Sequence, residues 1–455
     1  MLTILNPATE AILAQLSEDN AEAIATKAAR TRAAQPLWAA TPLATRCQIV
    51  ARFREQLLQQ TDSLARTLTA ETGKPITQAR AEIRATGDRL QFFLAHAEAA
   101  LAPATVWSEP GLEEQIELEP LGTIANISAW NYPYFVGTNV FVPALLAGNA
   151  VLYKPSEFAT LTGRAIAYAW QEAGLPPDLF QLVIGGGAVG AMLLKQQPLH
   201  GVFFTGSYAT GCQVAIAAAK QLMKVQLELG GKDPVYVCDD ITDIATAAAS
   251  VAEGAFYNTG QSCCAVERIY VHQRIYEPFL EAFLATVQGL KLGNPMQEST
   301  DLGPLTRAAQ RAVLEQQVRQ AVERGARLLW GGRSVSGAGY FFEPTVLAQV
   351  DHSMVVMREE SFGPVIGLQA VATDAEAVRL MADTPYGLTA GVYTPDRDRA
   401  ATILRSLKVG SAYWNCCASP RLPWSGRGHS GLGLTLSTYG IQTFTQPKAW
   451  HWRSP

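Results

Sequence analysis

No stretch of this 455-residue chain approaches 18 consecutive apolar residues, so a membrane-spanning helix is excluded. The opening MLTILNPATE lacks the basic segment, long apolar core and small-residue cleavage site of a secretory leader, and a cytoplasmic location is expected. A surplus of one charge is missing too: 36 Lys plus Arg against 40 Asp plus Glu leave a net charge of −4. That near-neutrality argues against nucleic acid or an anionic membrane as partner. Cysteines are few, seven in all, and none stands in a CxxC pair. Zinc and thioredoxin-like chemistry therefore have no support, no metal site is expected, and reduced thiols fit a cytosolic protein. Internal repeats and low-complexity tracts are absent. What the chain does have is 48% hydrophobic and only 17% charged residues, ample for large buried cores. Its length corresponds to roughly three structural units.

The first hundred residues carry helical signals. Thr41-Pro42 reads as an N-cap with proline at N1, followed by Ile49, Val50, Phe53, Leu57 and Leu58 at helical spacing. A further helix begins near Thr61-Asp62 and ends at Gly73; another spans 78–101 before Pro103. After residue 120 short apolar runs alternate with Ala-rich helical stretches. The runs are 124–129, 150–153, 182–184, 201–204 and 225–229, then 235–238, 266–271, 328–330, 365–371, 390–393 and 411–414. Apolar on both alternations, they read as strands covered on both faces of parallel sheets. The expected fold is α/β: two Rossmann-like doubly wound domains in series, joined near Gly230-Gly231. Residues 113–119 (EEQIELE) and the tail 440–452, which contains Pro447, read as exposed strands for oligomerisation, with surface hairpins of a monomer as the alternative.

Residues 185–190 match GxGxxG, yet no acid occurs between Asp178 and Glu228, where about 20 residues on a ribose-binding carboxylate belongs. The match taken alone is explained as well by tight-turn packing, and a ribose ligand must come from elsewhere. Lys154 and Glu157, just past the run 150–153, supply a donor and an acceptor for ribose hydroxyls, and the carboxylate repels a 2′-phosphate; a solvated turn is the plain alternative. Gly206-Ser207 forms a small turn ahead of an Ala-rich helix, suited to a phosphate. Cys263 sits in a polar, Gly-containing loop (FYNTGQSCC), unlike a packed core thiol. Only about 3% of an unperturbed thiol is thiolate at pH 7, so it needs activation by N–H groups, a base or a cation. Glu228 is flanked by leucines in LELGGK, a costly place for a carboxylate without a reason, with a salt bridge to Lys232 as the structural alternative. Base and thiol lie in different α/β units and can meet only across an interdomain cleft. Asn131, in Trp130-Asn131-Tyr132-Pro133, offers an amide to an oxyanion.

Taken in order, EPLGTIANISAWNYP, ALLAGNAVLYKPSE, FTGS, LELGGKDP, FYNTGQSCC, EESFGPV and PWSGRGHSGLG resemble the aldehyde dehydrogenase superfamily across nearly the whole chain. The resemblance implies a cofactor domain (1–106 and 121–230), a catalytic domain (231–436) and oligomerisation strands (107–120 and 437–455), assembling as a homodimer or homotetramer. It implies Cys263 as nucleophile, Glu228 as the base that activates water, and Asn131 with the Cys263 N–H as oxyanion donors. Lys154 and Glu157 would hold the adenine ribose, Ser207 with Gly206 the pyrophosphate, and Glu360 the nicotinamide ribose. Trp130, Gly230 and Phe362 would surround the rest of the cofactor, NAD in preference to NADP. The reaction would be oxidation of an aldehyde to the acid through a thioacyl enzyme.

Two departures stand out. The family's PFGG-x-K is here Pro423-Trp424-Ser425-Gly426-Arg427-Gly428, and the pocket segment 415–423 (NCCASPRLP) is short. With Cys264 it offers Ser419 and Arg421 to the substrate, and Arg421 would suit a semialdehyde carboxylate, though a surface arginine is the commoner case. Glu228 weighs against a variant that passes the acyl group to coenzyme A. A non-catalytic descendant would have lost the thiol or the base.

Overall fold

A computed structural model describes residues 1–195, 199–417 and 422–454. The strands are β1 (Leu2–Leu5), β2 (Ile12–Leu16), β3 (Ala104–Glu109), β4 (Leu112–Pro120), β5 (Thr123–Ile127), β6 (Ala150–Lys154), β7 (Phe180–Leu182), β8 (Gly201–Thr205) and β9 (Lys224–Glu228). They continue with β10 (Asp233–Val237), β11 (Val266–His272), β12 (Arg327–Trp330), β13 (Thr345–Ala348), β14 (Val365–Val371), β15 (Thr389–Tyr393), β16 (Ser411–Trp414), β17 (Gly431–Leu432) and β18 (Thr445–Arg453). A six-stranded sheet has the order β17-β9-β8-β5-β6-β7, and a seven-stranded sheet the order β12-β13-β14-β11-β10-β15-β16. Pairing is parallel throughout except at the edges, where β17 and β12 run antiparallel to their neighbours. The chain passes from one sheet to the other between Glu228 and Asp233, at the Gly230-Gly231 join.

The N-terminal helices α1 (Ala21–Ala39), α2 (Leu43–Gln59), α3 (Thr61–Thr72) and α4 (Ile76–Leu101) bury one face against the six-stranded sheet and α5 (Pro133–Leu146). Phe53 and Trp170 stack at 3.8 Å in that core, an arrangement that adds to their area burial. Gly73 closes α3 in the left-handed conformation, φ 80°, as its composition required. The cap of α2 is Pro42, one residue later than expected, because its extended ψ of 140° leaves it just outside the helix.

Three expectations change. Residues 431–432, assigned to the catalytic unit, pair with β9 in the first sheet, and Leu436, Ile441 and Phe444 bury into its core. The tail is not strand throughout: Ser437–Gln442 is helical, because Gly440 and Ile441 turn one face inward. The small antiparallel sheet β18-β4-β3 starts at Ala104, before the expected 107. β18 and β4 pair in unbroken register from Thr445↔Pro120 to Arg453↔Leu112, with Pro447 on the edge strand.

Candidate active site

Every expected cofactor residue of the first unit stands at the carboxyl end of a parallel strand, where open α/β sheets bind ligands. Trp130 and Asn131 follow β5, Lys154 and Glu157 follow β6, Gly206 and Ser207 follow β8, and Glu228 ends β9 with Gly230 beyond. A cavity of about 760 Å³ is lined by Trp130, Lys154, Glu157, Gly206, Ser207 and, on its far wall, Gly187 and Gly190. The glycine run of 185–190 therefore does face this space. A Cβ at Gly187 would meet nothing within 4 Å and would stand in the opening. Lys154 is buried, and desolvation lowers its pKa while Glu157 and Glu18 push the other way. Ser207 caps the helix Tyr208–Ala219 by accepting from the Thr210 N–H. These donors, one carboxylate and a glycine wall fit a dinucleotide.

A second cavity of about 280 Å³ adjoins the first, sharing Trp130, Gly206 and Ser207, and brings together Cys263, Glu228, Asn131, Gly230, Glu360 and Phe362. Thiol and carboxylate come from different sheets and meet across the cleft. The cysteine loop has an unusual path. After the helix Ile244–Phe256, Asn258 and Thr259 adopt φ 54° and 58°. Gly260 at φ 69° packs so closely that a Cβ would lie 2.4 Å from Gly363 O. Hydrogen bonds hold the strain in place: Asn258 Nδ2 donates to Asn131 O and Gln261 O, and Thr306 N donates to Gln261 Oε1. Asn131 Nδ2 donates to Gln261 O at 3.2 Å, next to the cysteine loop. Glu82, ion-paired with buried Lys74, accepts from the Tyr134 and Phe135 N–H groups that open α5 just after Asn131.

The salt bridge once open to Glu228 does not form. Lys232 instead pairs with Glu267 at 2.5 Å and donates to Ser361 Oγ. Glu267 in turn accepts from the Ser361 and Phe362 N–H groups. This buried network fixes the loop carrying Glu360 and Phe362, and Phe362 meets Trp130 edge-on at 5.5 Å. Glu360 accepts from Gly231 N at 3.1 Å. A Cβ at Gly230 would lie 2.4 Å from its carboxylate, so a larger residue there would displace the Glu360 side chain. Burial and neighbouring Glu267 push Glu360 up to about 7.

Glu228 is 5% exposed, and burial raises its carboxyl to about 7, against the hydrogen bond from Thr435 and the charge of Arg89, which pull it down. A carboxyl near 7 is poised as a general base at neutral pH. Thr435 Oγ1 donates directly to Glu228 Oε1. Thr435 and Trp424 exchange two backbone hydrogen bonds, so the divergent PWSGRG segment helps to seat the Glu228 carboxylate. The neighbouring Cys264, burial and the nearby carboxylates push the Cys263 thiol up from its ordinary range. Ser262 Oγ lies 3.3 Å from Cys264 Sγ. All seven cysteines are free. Ser419 and Arg421 lie outside the described residues.

Sequence reasoning missed Thr435, Arg89 and Arg307. Arg307 lines both cavities. None of the three sits in a recognisable motif, and their roles arise only from packing.

The family model for the aldehyde dehydrogenase family matches residues 1–450, and the chain belongs to that family. Among curated relatives, betaine aldehyde dehydrogenase 1 of Rhizobium meliloti (strain 1021) is 36% identical over 449 residues, covering 97% of this chain and 92% of that protein. Lactaldehyde dehydrogenase of Escherichia coli (strain K12) is 33% identical over 449 residues, covering 98% and 94%. The solved structure of Escherichia coli lactaldehyde dehydrogenase superposes with a TM-score of 0.96 at 33% identity, covering 99% of this chain and 95% of that one. A betaine aldehyde dehydrogenase from Staphylococcus aureus, solved with NAD+, gives 0.95 at 30% identity, covering 99% and 91%. The protein is an NAD(P)-dependent oxidoreductase that oxidises an aldehyde.

Proposed function

We propose that Cys263 is the nucleophile, Glu228 the general base and Asn131 the oxyanion donor of this oxidation, with NAD as the preferred cofactor. The observation that carries the reading is the single cavity lined by Cys263, Glu228 and Asn131 and continuous with the larger dinucleotide-sized one. In this reading the Cys263 sulfur, once deprotonated, attacks the aldehyde carbon, and Asn131 Nδ2 and the Cys263 N–H stabilise the oxyanion. Trp130, Gly230, Glu360 and Phe362 would hold the nicotinamide end of the cofactor, which would supply the acceptor for the hydride of this carbon. Cys263 then carries the acyl group as a thioester, and Glu228 takes a proton from the water that releases it. The balance is one aldehyde, one NAD+ and one water to one carboxylic acid, one NADH and one proton. Glu157 beside Lys154 supports NAD over its 2′-phosphorylated form, since a second anion there is repelled.

The relatives' names, for betaine aldehyde and lactaldehyde, leave the particular aldehyde open. The exposed sheet β18-β4-β3, with Val106, Trp107 and Trp452 more than half exposed, supports assembly into a homodimer or homotetramer. Free thiols throughout support a cytoplasmic setting. An aldehyde panel followed at the NADH absorbance with both cofactors tests the reading. Glu228→Gln should retain a stoichiometric burst of NADH and lose turnover by about 10²- to 10⁴-fold, the usual cost of removing a general base. Full turnover in that variant would refute the role.

A further inference from the structure

Arg307 stands where a helix ordinarily takes the opposite kind of residue. It is the N-cap of the helix Ala308–Glu323, extended at φ −115° and ψ 123°, and its side chain caps nothing. Ser, Thr, Asp and Asn are preferred at such a position because their oxygens accept from the free N–H groups of the first turn. A cation there adds to the positive end of the helix dipole. No acid stands in that first turn to offset it. The guanidinium is exposed and, among the described residues, has neither a hydrogen bond nor an ion pair; its head lies 5.6 Å from the ring of Phe158, which belongs to the other α/β unit.

This unoffset charge faces the cofactor space. The two cavities share Ala129, Trp130, Thr205, Gly206 and Ser207 from the first unit, and Arg307 alone from the catalytic unit. Gln310, within the first turn of the same helix, also lines the smaller cavity, so the amino end of the helix points at the cleft. The main chain beneath Arg307 is fixed: Thr306 N donates to Gln261 Oε1, and Thr306 Oγ1 donates to Thr72 O at 2.5 Å. Charged residues lining the larger cavity are Lys154, Lys195, Lys220 and Arg307 against Glu157, a balance that draws anions. Of these cations only Arg307 also lines the smaller cavity. A dinucleotide with its adenine ribose at Lys154 and Glu157 and its nicotinamide beside Cys263 must carry its diphosphate through the shared waist, past Ser207 and Arg307.

We infer that Arg307 is a cofactor-binding residue that clamps the diphosphate of the dinucleotide from the catalytic unit, with Ser207 as its counterpart on the first unit. This inference rests on the dinucleotide-binding reading above. The planar fork of a guanidinium matches two phosphate oxygens. A bound diphosphate also supplies the negative charge that this helix end lacks.

The test measures binding of NAD, ADP-ribose, 2′,5′-ADP and adenosine by calorimetry to wild type, Arg307→Gln and Arg307→Ser. NAD and ADP-ribose carry the diphosphate and should bind about tenfold more weakly to both variants, the low end for a charge-assisted pair because the head is exposed. Adenosine should bind as it does to wild type. The salt dependence of ADP-ribose affinity should flatten in the variants. In steady state KM for NAD should rise by a similar factor without a fall in kcat. Arg307→Ser supplies the missing cap, so without ligand it should melt no lower than wild type while losing the affinity, a combination that a purely structural arginine would not give. Unchanged affinity for NAD and ADP-ribose, an equal loss for adenosine, affinity lost only together with a lowered melting temperature, or a loss confined to 2′,5′-ADP would overturn the inference; the last would place Arg307 at the adenine ribose. Failure of wild type to bind NAD or ADP-ribose at all would instead overturn the underlying reading.

Discussion

Thr435→Val removes a single hydroxyl from a fully buried position and keeps the side chain's shape. Its target is the proton on Glu228. Burial has already raised that carboxyl to about 7, and the Thr435 hydrogen bond is the largest of the influences holding it down. A hydrogen bond to a charged group contributes about 1.5–3 kcal/mol, which at 1.36 kcal/mol per pH unit shifts the carboxyl up by about 1–2 units. The base works only when ionised, so the rising limb of kcat against pH should move from near 7 to about 8–9. At pH 7 turnover should fall about 5- to 50-fold and return at high pH. The NADH burst, which precedes water activation, should keep its amplitude. Steady-state and stopped-flow absorbance across pH 6–10 (about that range suffices) provide the check. An unmoved limb, or a burst lost in proportion to turnover, would show that Thr435 does not act through Glu228.

Glu228→Gln should also change stability with pH. The folded carboxyl titrates near 7, above its ordinary value of 4.5, so wild type loses stability as pH rises through this window. The uncharged variant should therefore match wild type near pH 4 and exceed it by up to about 3 kcal/mol at pH 8.5, read by denaturant unfolding. Glu267→Gln leaves buried Lys232 without its counter-charge and should cost about 3–5 kcal/mol, weakening NAD binding in calorimetry because the Ser361-Phe362 loop loses its anchor. Glu157→Gln should raise kcat/KM with NADP by at least about tenfold while lowering it with NAD; equal cofactor ratios would count against Glu157 as the discriminator. Trp107→Asp combined with Trp452→Asp should yield a smaller species in analytical ultracentrifugation if the β18-β4-β3 sheet is the assembly surface.

Local physics explains what could be read from the chain alone. The β14 and β16 runs, 365–371 and 411–414, match their strands residue for residue; β14 is buried over most of its length, as a covered parallel strand is, while β16 at the sheet edge buries alternate residues. Gly73 and Pro103 bracket helices through their own backbone limits. Cys263 and Glu228 were conspicuous because each is costly or unusual in its immediate setting, a thiol in a polar loop and an acid among leucines. β13 escaped notice, being four residues long and next to Pro344. So did the return of residues 431–444 to the first sheet, because edge pairing with β9 depends on a partner some 200 residues distant, as the Thr435–Glu228 contact at |i−j| = 207 illustrates.

The order of motifs determined the family and the two α/β units and singled out the proposed reacting pair, since each depends on residues close together in sequence. Tertiary structure alone decided that Lys232 serves Glu267 and leaves Glu228 free, and that Thr435 grips the Glu228 carboxylate. Charge and hydrogen bonding act through space over a few ångströms, and nothing in local sequence spacing records which distant side chains folding will bring within that range.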